Sequence, residues 1–329
     1  MSNKMKKSLK ITAIVLGCIA VLFALMFLGI FAVERISCAD FYKNAEKQFA
    51  IPGTNSGFVG QGLDYLEDKN AFLTCGYAAK KGQASMVYLI DSNGKAKLTL
   101  LKNADGSNYT GHTGGIAHYK EYVYITGDDG CDVFLLSDFV DGKGESKMLG
   151  TVKTPIDPAY CNVHDGKFYA GSFYRAGNYE TPDWQRITTP AGDKNKSVIV
   201  VYNIDDNASD TFYVSPTLNA VYSTTELVQG MTFIGDEMVL STSYAIAASH
   251  LKFYNTANLV AGEITLESSE SAPLYYLDSN CLVQEVKAPP MSEEIVYLDG
   301  KIYIMTESAS SKYIFGKFTG ATHLYAYKV

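Results

Sequence analysis

The chain has 329 residues, a formal net charge of −7, 24 tyrosines and 16 phenylalanines. All 35 acidic residues lie after residue 33, with 24 of the 28 basic ones, so residues 34–329 carry about −11. That balance excludes a nucleic-acid partner and electrostatic docking on anionic lipid, and it suits solubility or a cationic partner.

The chain opens with a basic tail, residues 1–10, containing Lys4, Lys6, Lys7 and Lys10. An uncharged apolar run from Ile11 to Val33 follows, which is long enough to cross a bilayer as a helix. Lysines before the run and Glu34 and Asp40 after it put the N-terminus in the cytoplasm and the remainder outside. A cleaved export signal with its site after Ala39 is the alternative, although its apolar stretch is usually shorter. Both readings send residues 34–329 out of the cytoplasm, and the uncleaved form is a single-pass membrane protein.

Residues 34–47 read as a stalk, with Asp40–Gln48 as a short helix candidate, and residues 48–329 as the folded domain. Cys38 is placed beside the membrane, where it could dimerise the protein. Cys75, Cys131, Cys161 and Cys281 fall in or beside strand patterns and read as small buried thiols, because no C-x-x-C pair marks a zinc site.

From there the sequence repeats one hairpin five times. The apolar runs are Gln61–Tyr65 with Ala71–Tyr77, Gly115–Tyr119 with Tyr122–Gly127, Cys161–His164 with Lys167–Phe173, Gln229–Phe233 with Met238–Tyr244, and Glu293–Tyr297 with Lys301–Glu307. Asp165-Gly166 and Asp299-Gly300 join two of these pairs, a strong hairpin signal. Further pairs follow each hairpin: Met86–Asp91 with Lys97–Leu101, Val133–Ser137 with Met148–Val152, Val198–Tyr202 with Thr211–Val214, and Leu274–Leu277 with Leu282–Val286. The fifth unit has only His323–Val329 left. Gln48–Pro52 supplies its missing outer strand and closes the ring.

Four short antiparallel strands per unit, five times over, predict an all-β, five-bladed β-propeller behind the N-terminal transmembrane helix. A β-sandwich would fit the alternation but does not need one hairpin five times. Ser249–Asn255 stays ambiguous, as an extra strand of blade four or the remnant of a sixth blade.

In such a fold, the loops entering the first strand and leaving the second share one mouth of the central channel. That mouth collects Gln61, His112, Gln229, Glu293, Ser243, Tyr244 and Glu307, and the long insertion Tyr174–Lys196 adds Tyr174, Arg175 and Trp184. These are the candidate ligand-binding residues, suited to a small polar molecule, a glycan or a peptide. His112, in the Gly111–Gly115 loop, is also the candidate general base. Asp64, Asn162 and Glu293 lie on inner strands of different blades. As oxygen ligands converging on the channel they would suit Ca²⁺, and otherwise they are solvated rim groups. No nucleophile elbow, phosphate-binding loop or His-Glu-x-x-His helix occurs.

The stretches Gly111–Ala117, Val228–Met231, Leu240–Tyr244 and Ala288–Glu293 together resemble a family of secreted or membrane-anchored bacterial β-propeller proteins, over most of residues 55–329. That resemblance implies architecture and export and names no activity. A looser similarity runs to propellers of the gluconolactonase and paraoxonase type, whose metal is held by carboxylate and amide side chains in the channel. It implies Asp64, Asn162 and Glu293 as metal ligands in a hydrolase or lactonase, with Glu307 beside them, but that group has six blades. The sequence thus supports two functions, a membrane-anchored binding module and a metal-assisted hydrolase.

Overall fold

The computed structural model describes residues 3–329; the first two residues of the basic tail lie outside them. A helix, α1 (Asn3–Ser37), leads into a short second helix, α2 (Ala39–Asn44). Within α1, Met5–Ser37 is long and apolar enough to cross a membrane, as an anchor or a signal sequence.

Twenty strands then build five antiparallel blades. Blade 1 runs Phe58–Leu66, Ala71–Ala78, Met86–Asp91 and Ala96–Lys102 from the channel outward. Blade 2 is Ile116–Tyr119, Tyr122–Gly127, Gly130–Leu135 and Gly150–Lys153. Blade 3 is Pro158–His164, Lys167–Ser172, Ser197–Ile204 and Val214–Thr224. Blade 4 is Val228–Ile234, Glu237–Thr242, Ser249–Asn255 and Leu282–Ala288. Blade 5 is Ser292–Leu298, Lys301–Thr306, His323–Lys328 and, from the other end of the chain, Ala45–Ala50.

The innermost strands contact one another in cyclic order, and the blade 5 strand touches that of blade 1. Each neighbouring pair of blades encloses its own apolar cluster, five clusters in all. This is the physical reason for the repeat: a single four-stranded sheet cannot bury both faces, and five stacked around an axis can. Glycines on the inner strands permit the close approach. A Cβ on Gly62 would meet the backbone of Gly115 and Ile116 in blade 2, and one on Gly230 would meet the Glu294 Cα in blade 5.

The expected closure forms, three residues earlier than the sequence pattern places it. Ala45 lies opposite Tyr327 and Ala50 opposite His323, so the open edge of His323–Lys328 is covered and the chain's two ends share one blade. The segment before it is no free stalk. Phe41 and Cys38 are fully buried, and Phe41 stacks on Tyr327 with ring centroids 5.4 Å apart. The Cys38 thiol donates to the Ala288 carbonyl at 3.2 Å, and burial pushes it up to about 11. A thiol so enclosed does not present itself to a second chain, contrary to the dimerisation expected of it.

One ambiguity about the outer strands is resolved in favour of blade 4, and two expectations are corrected. Ser249–Asn255 is the third strand of blade 4, so no sixth blade exists among the described residues. Leu274–Leu277 does not pair with Leu282–Val286. Ser271–Tyr276 instead adds in parallel to the edge of blade 3, where Ala272 and Leu274 join the cluster of Val214, Leu218 and Val221. Blade 3's outer strand is Val214–Thr224, with Val201 opposite Ala220, rather than Thr211–Val214.

Candidate functional site

The channel mouth at the start of the first strands opens into a cavity of about 1170 Å³. Its floor is made by irregularities in the inner strands. In blade 1 the pairing passes from Gly60–Gly76 to Gly62–Cys75 and leaves Gln61 as the extra residue. In blade 4 it passes from Val228–Thr242 to Gly230–Ser241 and leaves out Gln229. Blade 3 omits Ala159, and blade 5 omits Glu293 and Glu294 between Ser292 and Ile295. A bulge re-aims the side chain of the residue it frees. Gln61, Ala159 and Gln229 all line the cavity as a result.

The two freed glutamates of blade 5 have different surroundings. Glu294 Oε2 accepts from the backbone N–H of Leu63 at 2.8 Å and of Ile116 at 2.9 Å, while Oε1 accepts from Cys161 N–H at 3.3 Å. One carboxylate from blade 5 therefore ties together the inner strands of blades 1, 2 and 3. Burial raises its proton affinity, and the three N–H bonds oppose that rise. Glu293 lies below the cavity floor, 1% exposed, and among the described residues takes only a 3.5 Å contact from Gln229 Nε2. Burial first, then the nearby Glu307 charge, holds it protonated well above the usual carboxylate range.

Above Glu293, a polar chain crosses the floor. Gln61 Nε2 donates to Glu307 Oε2 at 3.0 Å and to the Gly60 carbonyl, so its Oε1 faces His112 Nε2 at 3.0 Å. The His112 Nε2 therefore carries the proton and Nδ1 is the acceptor. Enclosure by the cavity walls and then the Lys312 charge lower the proton affinity of this ring, which is neutral near pH 7. Its plane stacks on Tyr77 at 4.6 Å. The Tyr77 hydroxyl lies 2.9 Å from that of Tyr313 and accepts from Lys312 Nζ at 2.7 Å. Glu307 is pushed up to about 7, mainly by burial, against the opposing pull of Gln61 and Lys312. The floor thus holds a carboxyl that changes charge in the physiological range, a neutral imidazole and two amides.

The wall is acidic and aromatic. Asp128, Asp129, Asp157 and Glu180 line it along with Phe173 and Tyr244, and Lys312 is the lysine on it. Burial and repulsion from Asp128 and Asp129 raise Asp157.

Of the sequence candidates, Gln61, His112, Gln229, Ser243, Tyr244 and Glu307 line this cavity. Glu293 does not reach it. Arg175 is at the edge, its guanidinium 3.9 Å from the centre of the Tyr244 ring. Tyr174 is buried beneath Arg186. Trp184 packs against the cluster between blades 2 and 3, not on the rim. The candidate metal ligands do not converge. Asp64 lies three residues along the strand from Gln61, about 10 Å away from the mouth, and binds His118 Nδ1 at 2.6 Å. Asn162 donates to the Met231 carbonyl at 3.3 Å. Among the described residues no group of three or more His, Cys, Asp or Glu is arranged to hold a metal ion.

Lys312 and Tyr313 join the site without any signal in the sequence. They sit in the loop between the second and third strands of blade 5, where no alternation marks which way a side chain faces.

No protein-family model matches this chain, and no curated protein matches it. Among solved structures, the chain is similar to a Myxococcus xanthus glutaminyl cyclase at 8% identity, covering 79% of this chain and 90% of that one, with a TM-score of 0.42. It is similar to the calcium-binding protein regucalcin from Agrobacterium tumefaciens at 8% identity, covering 83% and 92%, with a TM-score of 0.39. A Bacteroides thetaiotaomicron protein of unknown function matches at 12% identity over 87% and 75%, with a TM-score of 0.42. All three scores fall below 0.5, and the propeller assignment rests on the strand pairing.

Proposed function

We propose that the protein is a membrane-anchored, extracytoplasmic binding propeller whose cavity takes a small, donor-rich polar ligand, such as a glycan or an amine. The observation that carries this reading is the floor itself. Bulges in blades 1 and 4 turn Gln61 and Gln229 out of their ladders, toward the Glu307 and Glu293 carboxyls. Hydroxyl or ammonium donors would meet acceptors on the floor and four more acidic side chains on the wall. Tyr244 and Phe173 offer flat apolar faces for a sugar ring or an alkyl ammonium. A phosphate or carboxylate ligand would meet like charge. The volume exceeds what one sugar unit fills and suits a ligand of drug-like size or a short oligosaccharide.

The metal-assisted alternative draws less support. Asp64 and Asn162 are each committed to another blade, and Glu293 is closed off under the floor.

Calorimetric titration with methyl glycosides, ethanolamine and short basic peptides tests the reading. Binding by at least one class is expected, weakened about tenfold or more by Gln61→Ala and Glu307→Gln, each of which removes a floor group worth about 1–3 kcal/mol. Affinity for phosphorylated or carboxylated compounds alone would overturn it.

A further inference from the structure

The helix packs on the loop that walls one side of the cavity. Along α1, Arg35 and Phe31 lie against Gly320, and Phe27 packs edge-on to Phe318 with centroids 5.4 Å apart. The junction is braced. Tyr42 donates to Glu34, and the Arg35 guanidinium sits 3.6 Å over the Tyr42 ring. Gly320 and Phe318 belong to the blade 5 loop that also supplies Lys312, Tyr313, Ile314 and Phe315 to the cavity. The helix therefore leaves from the same face of the propeller as the cavity mouth.

The depth of that contact matters. Phe27 lies six residues inside the apolar run from its Val33 end, which is about 9 Å along a helix. If this run spans the bilayer, Phe318 packs against it below the level at which the run emerges. Phe315 touches Phe318 edge-on, at 5.9 Å. Around the mouth, Ile314 is 57% exposed and Phe315 51%, and they are joined by Ile246 of blade 4 at 56% and Tyr179 of the blade 3 insertion at 58%. Four large exposed side chains from three blades ringing one opening is the pattern of a surface that enters an apolar phase.

We propose that the cavity mouth is seated in the outer membrane interface, and that the ligand is the uncharged or amine-bearing head of a membrane amphiphile. This inference rests on the binding reading above and on α1 staying in the membrane. The rim would contact acyl chains while the head enters the acidic cavity. Anionic heads are disfavoured by the same wall and by the net charge of about −11 outside the membrane. Tethering makes the encounter intramolecular, so a weak intrinsic affinity suffices.

The test uses the full chain in vesicles whose lipids carry bromine on the acyl chain. Tryptophan emission of Phe315→Trp is compared with that of the parent, which has Trp184 alone, and of Asn93→Trp in the blade 1 turn on the opposite face. The added Phe315→Trp emission should be quenched at least twofold more than the Asn93→Trp emission; equal quenching overturns the membrane seating. In parallel, the chain is melted in nanodiscs of phosphatidylcholine alone or with galactosyl diacylglycerol, phosphatidylethanolamine or phosphatidylglycerol. A higher Tm with the galactosyl or ethanolamine lipid is expected, and an equal Tm in all four overturns the lipid-head assignment. Binding of soluble methyl glycosides without quenching overturns only the seating and leaves the polar site standing. Failure of both soluble heads and lipids to bind sinks the binding reading as well.

Discussion

Phe41 anchors the strand that closes the ring. It is fully buried between blades 4 and 5, stacks on Tyr327 and meets Tyr325 edge-on at 6.0 Å. Its helix turns the chain into the Ala45–Ala50 strand, which covers the open edge of His323–Lys328. Phe41→Ala removes a fully buried ring, which costs about 3–5 kcal/mol. At about 2 °C per kcal/mol for a domain of this size, Tm should fall by roughly 6–10 °C. Two truncated chains bracket that value. One beginning at Cys38 keeps Phe41 and the closing strand, and should melt near the full-length propeller transition. One beginning at Gly53 loses both along with the buried Ile51, exposes a blade edge, and should melt lower than Phe41→Ala or aggregate. Calorimetry in parallel with circular dichroism checks all three. A Phe41→Ala transition within 2 °C of the parent, or equal Tm for the Cys38 and Gly53 chains, would refute closure by the N-terminal strand.

Two further outcomes follow from the channel carboxyls. Glu294→Ala leaves three buried backbone N–H groups without an acceptor, at about 1–3 kcal/mol each, and should destabilise the fold more than any cavity substitution; a loss below 1 kcal/mol by urea denaturation would remove Glu294 from its structural role. Glu307 has its folded proton affinity raised to about 7 from an ordinary 4.5, so its stabilising effect is complete below pH 4.5 and is lost as pH rises to 7. That decline is at most about 3 kcal/mol and Glu307→Gln should flatten it; a Tm rising with pH across this window in the parent but not in Glu307→Gln would contradict the assignment.

The inner hairpins were legible because alternation and Asp-Gly turns are local signals, and each inner strand is buried on both sides by neighbours of the same kind. The outer strands were less so. Leu274–Leu277 and Leu282–Val286 alternate and lie close in sequence, which is all a hairpin requires. Only the apolar groove beside Val214 and Leu218 decides that Ser271–Tyr276 leaves for blade 3. The position of Gln61 and Gln229 at the strand starts places them at the mouth. The bulges that free them depend on pairing register, which one strand's sequence does not contain. Glu293 and Glu294 look alike in sequence, and three N–H donors from three other blades, far off in the chain, separate their roles. Trp184 shows the reverse: a lone tryptophan in a long insertion suggests a ligand platform, but it is half-buried against the cluster between blades 2 and 3.

The most direct test of the binding site is a crystal structure of the propeller with the tightest-binding soluble compound of the glycoside and amine panel. The account predicts the compound on the cavity floor, with a hydroxyl or ammonium donating to Glu307 and a ring or alkyl face against Tyr244. A compound bound at an outer blade edge, or on the opposite face with Glu307 untouched, would contradict it.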